Sequence, residues 1–511
     1  MDDGQFSSMR RLACPVGSGA VNWGVVGLAL CLAGCAVGPN YHAPAPPSVP
    51  LTARPLPAST VAAGGVAQHF EVGAQIAGDW WYLYRSPQLD QLIKTALADN
   101  PTLKAAQATL LQAEETVRAT QGGLLPDVSA SAGIQRSKAA TATTAAAGGD
   151  SNLILPAYTM HSVSLSVSYP LDVFGGQRRQ VESAAAQADY QRWQLEAAYL
   201  TLTANIVTAA VNEASLNAQI SATQTVIADE QQLLSILQAQ VRLGAAAPTQ
   251  FLQQQAQLAQ QEATLPPLRS ALAQAQNQLA AYAGQFPGNF NPHSFTLADL
   301  TLPATIPVSL PSALVVQRPD IQAAAAQLHE ATANVGVADA NLLPQITLSA
   351  SIGHEALAAA SLFTPQSLLW NLVAGITQPL FEGGTLTARR QASIYAMRAA
   401  AAQYQSTVIA AFQNVADALS VLQYDADTLA AAEVAASAAA QSLQVTQAQY
   451  RLGGEPFASV LTAEVAYQNA LMVEIKAKAA RLSDTAALYQ ALGGGWWHRQ
   501  DIARQCCGVV P

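Results

Sequence analysis

Two stretches of the chain carry the residue pattern of very long α-helices. Residues 177–243 and 385–452 contain no glycine and no proline, the two residues that are costliest inside a helix, and are rich in alanine, glutamine and leucine. At a rise of 1.5 Å per residue, each stretch predicts a rod of about 100 Å. Globular helices average about 11–12 residues, so these two are predicted to span a distance and not to fill a compact core.

The two stretches belong to a duplicated arrangement. A Gly-Gly pair precedes each stretch, at Gly175-Gly176 and at Gly383-Gly384, and an Arg-Leu-Gly sequence ends each one, at Arg242-Leu243-Gly244 and at Arg451-Leu452-Gly453. Glycine is typical just beyond a helix end because it adopts the left-handed conformation without strain. The chain is therefore interpreted as two copies of one unit.

A shorter helix is predicted before each long one, and a return helix after it. Asn100 and Pro101 suit the N-cap and the first helical position of the first short helix. The return helices are predicted to have Pro248 and Pro456 at their first helical positions. Within the first return helix, Pro266-Pro267 predicts a break, because proline in a helix interior removes a hydrogen bond and clashes with the preceding turn.

Between each short helix and the following long helix, hydrophobic and small polar residues alternate in two segments. The alternation covers residues 128–134 and 163–169 in the first copy, and residues 346–352 and 370–376 in the second. A period of two predicts β-strands, and about 9–11 residues is the length of a tilted strand that crosses a bilayer. A half-buried soluble sheet would give the same pattern in any one strand, but four such strands attached to two long helices favour a membrane.

Four membrane strands cannot close a barrel by themselves. Open sheet edges are not tolerated in hydrocarbon, and the smallest single-chain barrels have about 8 strands. We therefore expect the chain to assemble with copies of itself, with its alanine-rich helices packing against those of its neighbours. A closed barrel of strands that leads into a tube of helices is a conduit.

The first residues have the features of a lipoprotein signal peptide, which is excluded from the fold. Arg10-Arg11 supplies positive charge, an apolar run follows, and Leu32-Ala33-Gly34-Cys35 resembles the bacterial lipobox, in which the cysteine is diacylated and becomes the mature N-terminus. The alternative is an ordinary secretory signal with an accidental cysteine. Ala36, where aspartate would retain a lipoprotein in the inner membrane, favours the outer membrane.

Composition and charge argue against several other classes of protein. Only 11% of the residues are charged and the formal net charge is −9, without a Lys/Arg cluster, which argues against nucleic-acid binding. No run of about 18 apolar residues follows the signal peptide, so no transmembrane helix is expected. The histidines never pair at metal-ligand spacing, and Cys506-Cys507 has no histidine partner. We expect no enzymatic activity, no metal and no cofactor.

Several motifs resemble the outer-membrane factors of tripartite efflux pumps, the family of TolC and OprM. They lie at residues 317–324, 340–344 and 379–384, and in residues 37–41 after the lipobox. The resemblance covers about residues 35–495 and favours the lipoprotein, OprM-like branch (RND efflux system outer membrane lipoproteins of the NodT type). It implies an α+β membrane protein, namely a homotrimer whose 12-stranded β-barrel, with four strands per chain, continues into a long periplasmic α-helical barrel. It also implies a mixed equatorial belt around the middle of the helical barrel, built from residues near 79–100, near 285–318 and near the C-terminus.

The resemblance also implies a location, partners and a function. The chain would be anchored by lipid in the bacterial outer membrane and extend into the periplasm, where it would meet an adaptor protein and an inner-membrane transporter of the RND type. It would be an exit duct that passively conducts small toxic compounds or drugs. Two alternatives are a TolC-like duct for protein export with an ABC transporter, and a lipid-anchored coiled-coil scaffold without a pore.

In this family, an Arg-x-Gly turn at the periplasmic tip docks the adaptor. The matching residues are Arg242-Leu243-Gly244 and Arg451-Leu452-Gly453, although local helix-end preferences alone also explain glycine and arginine there. Tyr450, Ser459 and Thr462 are expected to line the constriction beside the second turn. Family members commonly carry aspartates just after the turn; this chain does not, so a cation-selective aspartate ring is not expected.

These expectations divide the chain into five parts. They are the signal peptide at 1–34, an extended proline-rich strap from the lipid anchor at 35–78, the first repeat at 79–300, the second repeat at 301–495, and a flexible tail at 496–511.

Overall fold

A computed structural model describes residues 36–52, 55–138, 156–290 and 294–499. The signal peptide, Cys35 and Cys506-Cys507 lie outside these residues. In chain order the helices and strands are β1 His69–Val72, α1 Pro87–Asp99, α2 Pro101–Gly122, β2 Asp127–Ser137, β3 Tyr158–Leu171, α3 Gly176–Arg242, α4 Pro248–Glu262, α5 Leu265–Tyr282, β4 Thr305–Val308, α6 Pro311–Gln317, α7 Pro319–Ala340, β5 Gln345–Ala356, β6 Leu368–Thr377, α8 Thr385–Arg451 and α9 Phe457–Ala491.

The two long helices and the four alternating strands are confirmed. Helices α3 and α8 have 67 residues each, and the segments with a period of two form β2, β3, β5 and β6. Asn100 caps α2, since its side-chain oxygen accepts hydrogen bonds from the backbone N–H groups of Thr102 at 2.9 Å and Leu103 at 3.1 Å. The short and long helices thus begin and end close to where local sequence signals predict.

The return helices agree with the sequence except at one start. The first is broken as Pro266-Pro267 predicts, with α4 ending at Glu262 and α5 beginning at Leu265. The expectation that Pro456 is the first helical residue is wrong. Its ψ of 153° is extended, so Pro456 is the N-cap and α9 begins at Phe457. The proline ring fixes φ alone, and ψ stays free to place the residue outside the helix.

The chain divides into two compact units, and each unit takes segments from both repeats. One, here called the sheet unit, includes residues 36–38, 124–179 and 336–386; the other, the helical unit, includes the remaining described residues. The two repeats at 79–300 and 301–495 therefore do not fold as separate bodies.

The sheet unit is built on one antiparallel sheet with the strand order β2-β3-β5-β6. The pairing register places like residues side by side across all four strands. One row of neighbours is Ala130, Leu165, Ile352 and Trp370, and the next row, on the opposite face, is Ser129, Ser166, Ser351 and Asn371. The sheet therefore has one apolar face and one face of small polar side chains, as the alternation predicts.

The helical unit has a large hydrophobic core to which the predicted belt segments contribute. Residues near 79–100, near 285–318 and near the C-terminus supply Trp80, Leu89, Leu314 and Tyr489, all nearly inaccessible to solvent. The rings of Trp80 and Tyr489 stack with 5.2 Å between their centroids. These three distant stretches of sequence thus share one core.

The strap is less uniform than its composition predicts. Much of residues 36–68 has no regular secondary structure, but β1 pairs in parallel with β4, with His69 opposite Thr305. The Arg481 guanidinium, only 1% exposed, donates hydrogen bonds to the carbonyl oxygens of Ala63 (2.6 Å) and Val66 (3.0 Å) and to the Thr60 hydroxyl (3.1 Å). The strap is therefore fixed to helix α9 by a buried cation.

The expectation of a flexible tail from residue 496 is wrong for its first four residues. Trp496–His498 form a 3₁₀ turn, and the Trp496 indole N–H donates to the Gln317 carbonyl oxygen at 2.6 Å. Arg499 pairs with the Glu196 carboxylate at 3.0 Å and lies over the Tyr199 ring. Two tryptophans and an arginine supply enough apolar surface and hydrogen bonding to hold this segment in place. The three glycines before it suggested a flexible tail because glycine itself provides no side-chain contacts.

Candidate functional site

The two Arg-Leu-Gly sequences form matching turns at the ends of α3 and α8. Gly244 and Gly453 have φ values of +73° and +79°, in the left-handed region. The Ala245 N–H donates to the Gln240 carbonyl oxygen at 2.8 Å, and the Gly454 N–H donates to that of Gln449 at 2.9 Å. These are Schellman ends, which satisfy the last carbonyl groups of a helix. The repeated sequence therefore specifies the same sharp turn twice.

Each turn presents an exposed leucine side chain and a positively charged arginine. Leu243 and Leu452 are 83% and 87% exposed, and Arg242 and Arg451 are exposed in the last turns of their helices. A positive charge is favourable at a helix C-terminus, but local structure gives no reason for a leucine there to be so exposed. An exposed apolar side chain beside a cation suits a partner surface.

A small apolar cluster, here called the tip cluster, joins the two turns. Its buried members are Leu237 of α3 with Phe457 and Val460 of α9, and the Tyr450 ring packs on Phe457 with 5.5 Å between centroids. Tyr450 is half-buried, and burial raises the pKa of its hydroxyl. The cluster holds the end of α3 against the start of α9, so the two turns are structurally linked within the protomer.

The other predicted constriction residues lie on the first turns of α9. The Ser459 hydroxyl donates to the Glu455 carboxylate at 3.0 Å, and the exposed Thr462 hydroxyl donates to the Ala458 carbonyl oxygen at 2.9 Å. The Thr462 hydroxyl is thus bonded within α9, and the Ser459 hydroxyl is bonded to Glu455, just before the helix. That Ser459, Thr462 and Tyr450 line a constriction stays a prediction.

Further from the two turns than the tip cluster, helices α3, α4 and α9 enclose a group of polar side chains. The sequence patterns did not predict a site there. We call Glu230, Gln254, Gln261, Glu464 and Gln468 the polar layer. Gln254 is 0% exposed, Glu230 2% and Glu464 7%. The signal was present in the sequence: Glu230 continues the buried stripe of Val226 and Ile227, and Glu464 that of Phe457 and Val460. A charged residue on an apolar helix stripe is seldom buried without a reason.

Burial dominates the electrostatics of the polar layer. It raises the pKa of Glu464 to about 7, with a further upward contribution from the negative charge of Glu230. Burial also raises the pKa of Glu230, opposed by hydrogen bonds from Gln468 and Gln257. Desolvation disfavours the charged form of a carboxyl, so this layer holds protons more tightly than surface carboxylates do.

The two faces of the sheet differ in polarity, as the lipid-facing and lumen-facing sides of a channel wall would. On the apolar face Ile134, Trp370 and Ile376 are more than 70% exposed. On the opposite face, the hydroxyls of Ser129 and Ser166 are 3.2 Å apart and those of Ser131 and Ser164 are 2.8 Å apart, so neighbouring strands satisfy each other's polar groups. An apolar face of this kind is not covered by the rest of the sheet unit.

The described residues contain neither a membrane-spanning helix nor a group of metal-binding side chains. In the part of the chain that the structure describes, no helix is sufficiently long and apolar to span a membrane. Within the same residues, no three or more His, Cys, Asp or Glu side chains are grouped so as to hold a metal ion.

Comparisons with known proteins identify the family. The sequence profile of the outer membrane efflux proteins matches residues 92–285 and 310–494, one stretch in each repeat. The pyoverdine export outer membrane protein OpmQ of Pseudomonas putida is 30% identical over 423 residues, covering 82% of this chain and 88% of OpmQ.

Solved channel structures share the fold. The outer-membrane channel OprN matches with a TM-score of 0.80 at 25% identity, over 90% of this chain and 100% of that one. The open state of the MtrE outer membrane channel of Neisseria gonorrhoeae matches with a TM-score of 0.76 at 25% identity, over 90% and 99% of the two chains. On this evidence the chain is an outer-membrane protein that belongs to the outer membrane efflux protein family.

Proposed function

We propose that this chain is the outer-membrane exit duct of a tripartite efflux pump and that it works as a homotrimer. The observation that carries the proposal is the open sheet: β2 and β6 are its outer strands, and each pairs on one side only. In hydrocarbon, unpaired strand edges are not tolerated. Three copies with four strands each would supply twelve, which is within the range of closed membrane barrels.

In such a barrel the apolar face of the sheet meets lipid and the serine face lines the bore. Membrane barrels alternate apolar residues facing lipid with polar residues facing the lumen. The rows that contain Trp370 and Ser166 fit these two environments, although His354 lies on the apolar face and Leu369 and Val373 lie on the serine face. The duct is proposed to conduct passively, as the resemblance to the efflux family implies.

A lipid anchor at Cys35 is part of the proposal. Cys35 lies outside the described residues, but the residues that follow it are held on the sheet unit: the Val37 N–H donates to the Phe174 carbonyl oxygen at 3.0 Å, and Arg179 donates to the carbonyl oxygens of Val37 and Gly38. Ala36 packs closely on Gly175, so a side chain at position 175 would overlap with Ala36. This arrangement starts the mature chain beside the membrane strands. Metabolic labelling with palmitate, absent in Cys35→Ala, tests the anchor.

The direct test of the duct uses the purified full-length protein in planar bilayers, together with a strain that lacks the gene and its paralogues. We expect discrete conductance steps and increased susceptibility of the strain to toxic compounds. The absence of a pore of any size would refute the duct. Unchanged susceptibility to every compound tested would refute the efflux role but leave the duct.

The two turns are proposed to be the closed, periplasmic end of the duct. Six turns meet in a trimer, and Tyr450, Ser459 and Thr462 would line the narrowest part. Opening then requires a periplasmic adaptor that binds the open form better, because a ligand shifts an equilibrium only by its differential affinity. The MtrE relative has been solved in an open state, which supports a tip that changes conformation.

Arginine at the constriction should change the closed state strongly. In Ser459→Arg/Thr462→Arg, each trimer gains six cations in a narrow space, so mutual repulsion should raise the resting leak at low ionic strength and shift the selectivity towards anions. Single-channel recordings at two salt concentrations measure both effects. Asp427→Arg, on an exposed face of α8, is the control. Unchanged leak and selectivity would place these residues outside the bore.

Removal of the two exposed arginines should impair docking and not folding. Arg242→Ala/Arg451→Ala deletes the cations of both turns, so we expect loss of efflux in cells with a thermal unfolding midpoint close to that of the unmodified protein, since solvent-exposed charges contribute little to stability. Cross-linking to the co-expressed adaptor measures docking. If cross-linking persists at its normal level, the turns are not the adaptor site.

Small-molecule efflux is proposed in preference to protein export. A relative with 30% identity exports pyoverdine, a small molecule, and the lipobox also favours the branch that works with RND-type transporters. The inner-membrane partner and adaptor would be encoded close to this gene. Co-purification from the native membrane with an ABC exporter in place of an RND transporter would contradict this choice.

A further inference from the structure

The polar layer is a buried polar region in an otherwise apolar helix contact. The Gln468 side chain donates to Glu230 Oε1 at 3.0 Å and accepts a hydrogen bond from Gln261, so α3, α4 and α9 are connected through one glutamine. The tip cluster of Leu237, Phe457 and Val460 lies between this layer and the turns. Carboxyl and amide groups in such a place contribute less to packing than the apolar residues they replace.

Several atoms of the layer have no hydrogen-bond partner among the described residues. They are Glu230 Oε2, Glu464 Oε2, and both side-chain polar atoms of Gln254. A buried polar atom without a partner costs about 1–3 kcal/mol. The packed arrangement of these helices is therefore held at a cost, and an arrangement that admits water to the layer recovers part of it.

The charged side chains that act on the two buried carboxyls are themselves acidic. Asp229 of α3 acts on Glu464, and Glu262 of α4 acts on Glu230; α8 contributes the neutral side chain of Gln447. Ionisation of Glu464 would thus place a second negative charge beside Glu230, and no lysine or arginine of the described residues offsets it. Like charges in a region of low polarity repel strongly.

We propose that the polar layer is a proton-controlled element of the tip: when Glu464 is protonated the start of α9 packs on α3 and α4, and when it is ionised this packing loosens and the tip opens more readily. The proposal rests on the proposed function, because it assumes that the tip is the gate. It adds that periplasmic pH, besides an adaptor, biases the gate, and it assigns Glu464 as the sensor.

The direction and size of the effect follow from proton linkage. A buried carboxyl with a raised pKa favours the packed form at low pH; this advantage declines as the pH rises above the ordinary value of 4.5, until the buried group itself has ionised near pH 7. If Glu464 is hydrated in the loosened form, the ratio of loosened to packed forms rises about tenfold per protomer from pH 6 to pH 8. Acid should therefore close the tip and mild alkali should open it.

The test measures resting open probability of the purified full-length protein in planar bilayers at pH 6 and pH 8 and constant ionic strength. We expect a rise of about tenfold or more in the unmodified protein, a rise below about twofold in Glu464→Gln, which is isosteric and permanently neutral, and the full rise in Asp427→Asn, an exposed acid on α8. A full rise in Glu464→Gln, or no rise in the unmodified protein, would overturn the proposal.

A second measurement does not depend on the pore. Amide hydrogen exchange across residues 457–468 is compared between Glu464→Gln and the unmodified protein at each pH, so that the intrinsic pH dependence of exchange cancels. We expect the protection of the variant, relative to that of the unmodified protein, to increase about tenfold from pH 6 to pH 8; no change in this relative protection would refute the proton-controlled layer. If bilayers show no pore at all, the duct fails, and the exchange result still decides whether the layer senses protons.

Discussion

Replacement of Arg481 by methionine is expected to destabilise the protein more than any other single change considered for its charged residues. Arg481 is 1% exposed and donates to three oxygens of the strap, at Thr60, Ala63 and Val66. Its removal leaves two carbonyl groups of the strap without this donor. Breaking a buried charged network by removal of one partner costs about 3–5 kcal/mol.

The loss of the Arg481 cation also affects a half-buried carboxyl, that of Asp425. Burial, with a hydrogen bond and negative charge from Asp484, raises the pKa of Asp425, and the positive charge of Arg481 opposes that rise. Without Arg481 the Asp425 carboxyl is held more firmly in its protonated form, so the variant should lose still more stability as the pH rises from acid to neutral values, where the unfolded carboxyl ionises.

The measurement is the unfolding midpoint of the detergent-solubilised protein, by heat and by denaturant, at acid and neutral pH. Lys476→Met, on an exposed position of the same helix, is the matched control and should shift the midpoint little. Arg481→Lys should not rescue the protein, because an ammonium group lacks the planar fork that reaches several acceptors at once. A loss below about 1 kcal/mol in Arg481→Met would contradict the assignment of a structural cation.

Gly495→Ala is expected to release the C-terminal segment from the helical unit. Gly495 has a φ of +70°, and a Cβ there would lie 2.4 Å from the Ala77 carbonyl oxygen and 2.6 Å from that of Ile76. Backbone oxygens cannot move aside as a flexible side chain can. Left-handed strain of about 1–2 kcal/mol and overpacking of about 1–3 kcal/mol together give a loss of about 2–5 kcal/mol.

Gly73→Ala separates the two contributions. Gly73 has a φ of +82°, but nothing lies within 4 Å of the position of its Cβ, so only the backbone strain applies. Tryptic cleavage after Arg499 reports release, since this arginine is paired with Glu196 and packed on Tyr199 in the folded protein. We expect rapid cleavage in Gly495→Ala and slow cleavage in Gly73→Ala. Equal rates would show that the close approach to Ala77 and Ile76 is not important.

Local sequence patterns are sufficient to predict the helices, the strands and the two turns. These features depend on residues near each other in the chain: the absence of glycine and proline from residues 177–243, which include all of α3 after Gly176, the period of two in β3, and a glycine after Arg242-Leu243. Their bounds follow because hydrogen bonding within a helix and the alternation of side chains along a strand are local. The family motifs added the outer-membrane assignment.

Contacts between distant parts of the chain determine which polar residues are buried and what holds the strap and residues 496–499 in place. Glu230 meets Gln468 across 238 positions of sequence, and Arg481 meets Ala63 across 418. Residues 496–499 looked like a free tail after three glycines, yet Trp496 packs on Trp193 with 4.9 Å between ring centroids. Whether a polar or aromatic side chain is exposed or enclosed depends on which distant segments pack around it, because burial and desolvation arise from contacts that local pattern does not contain.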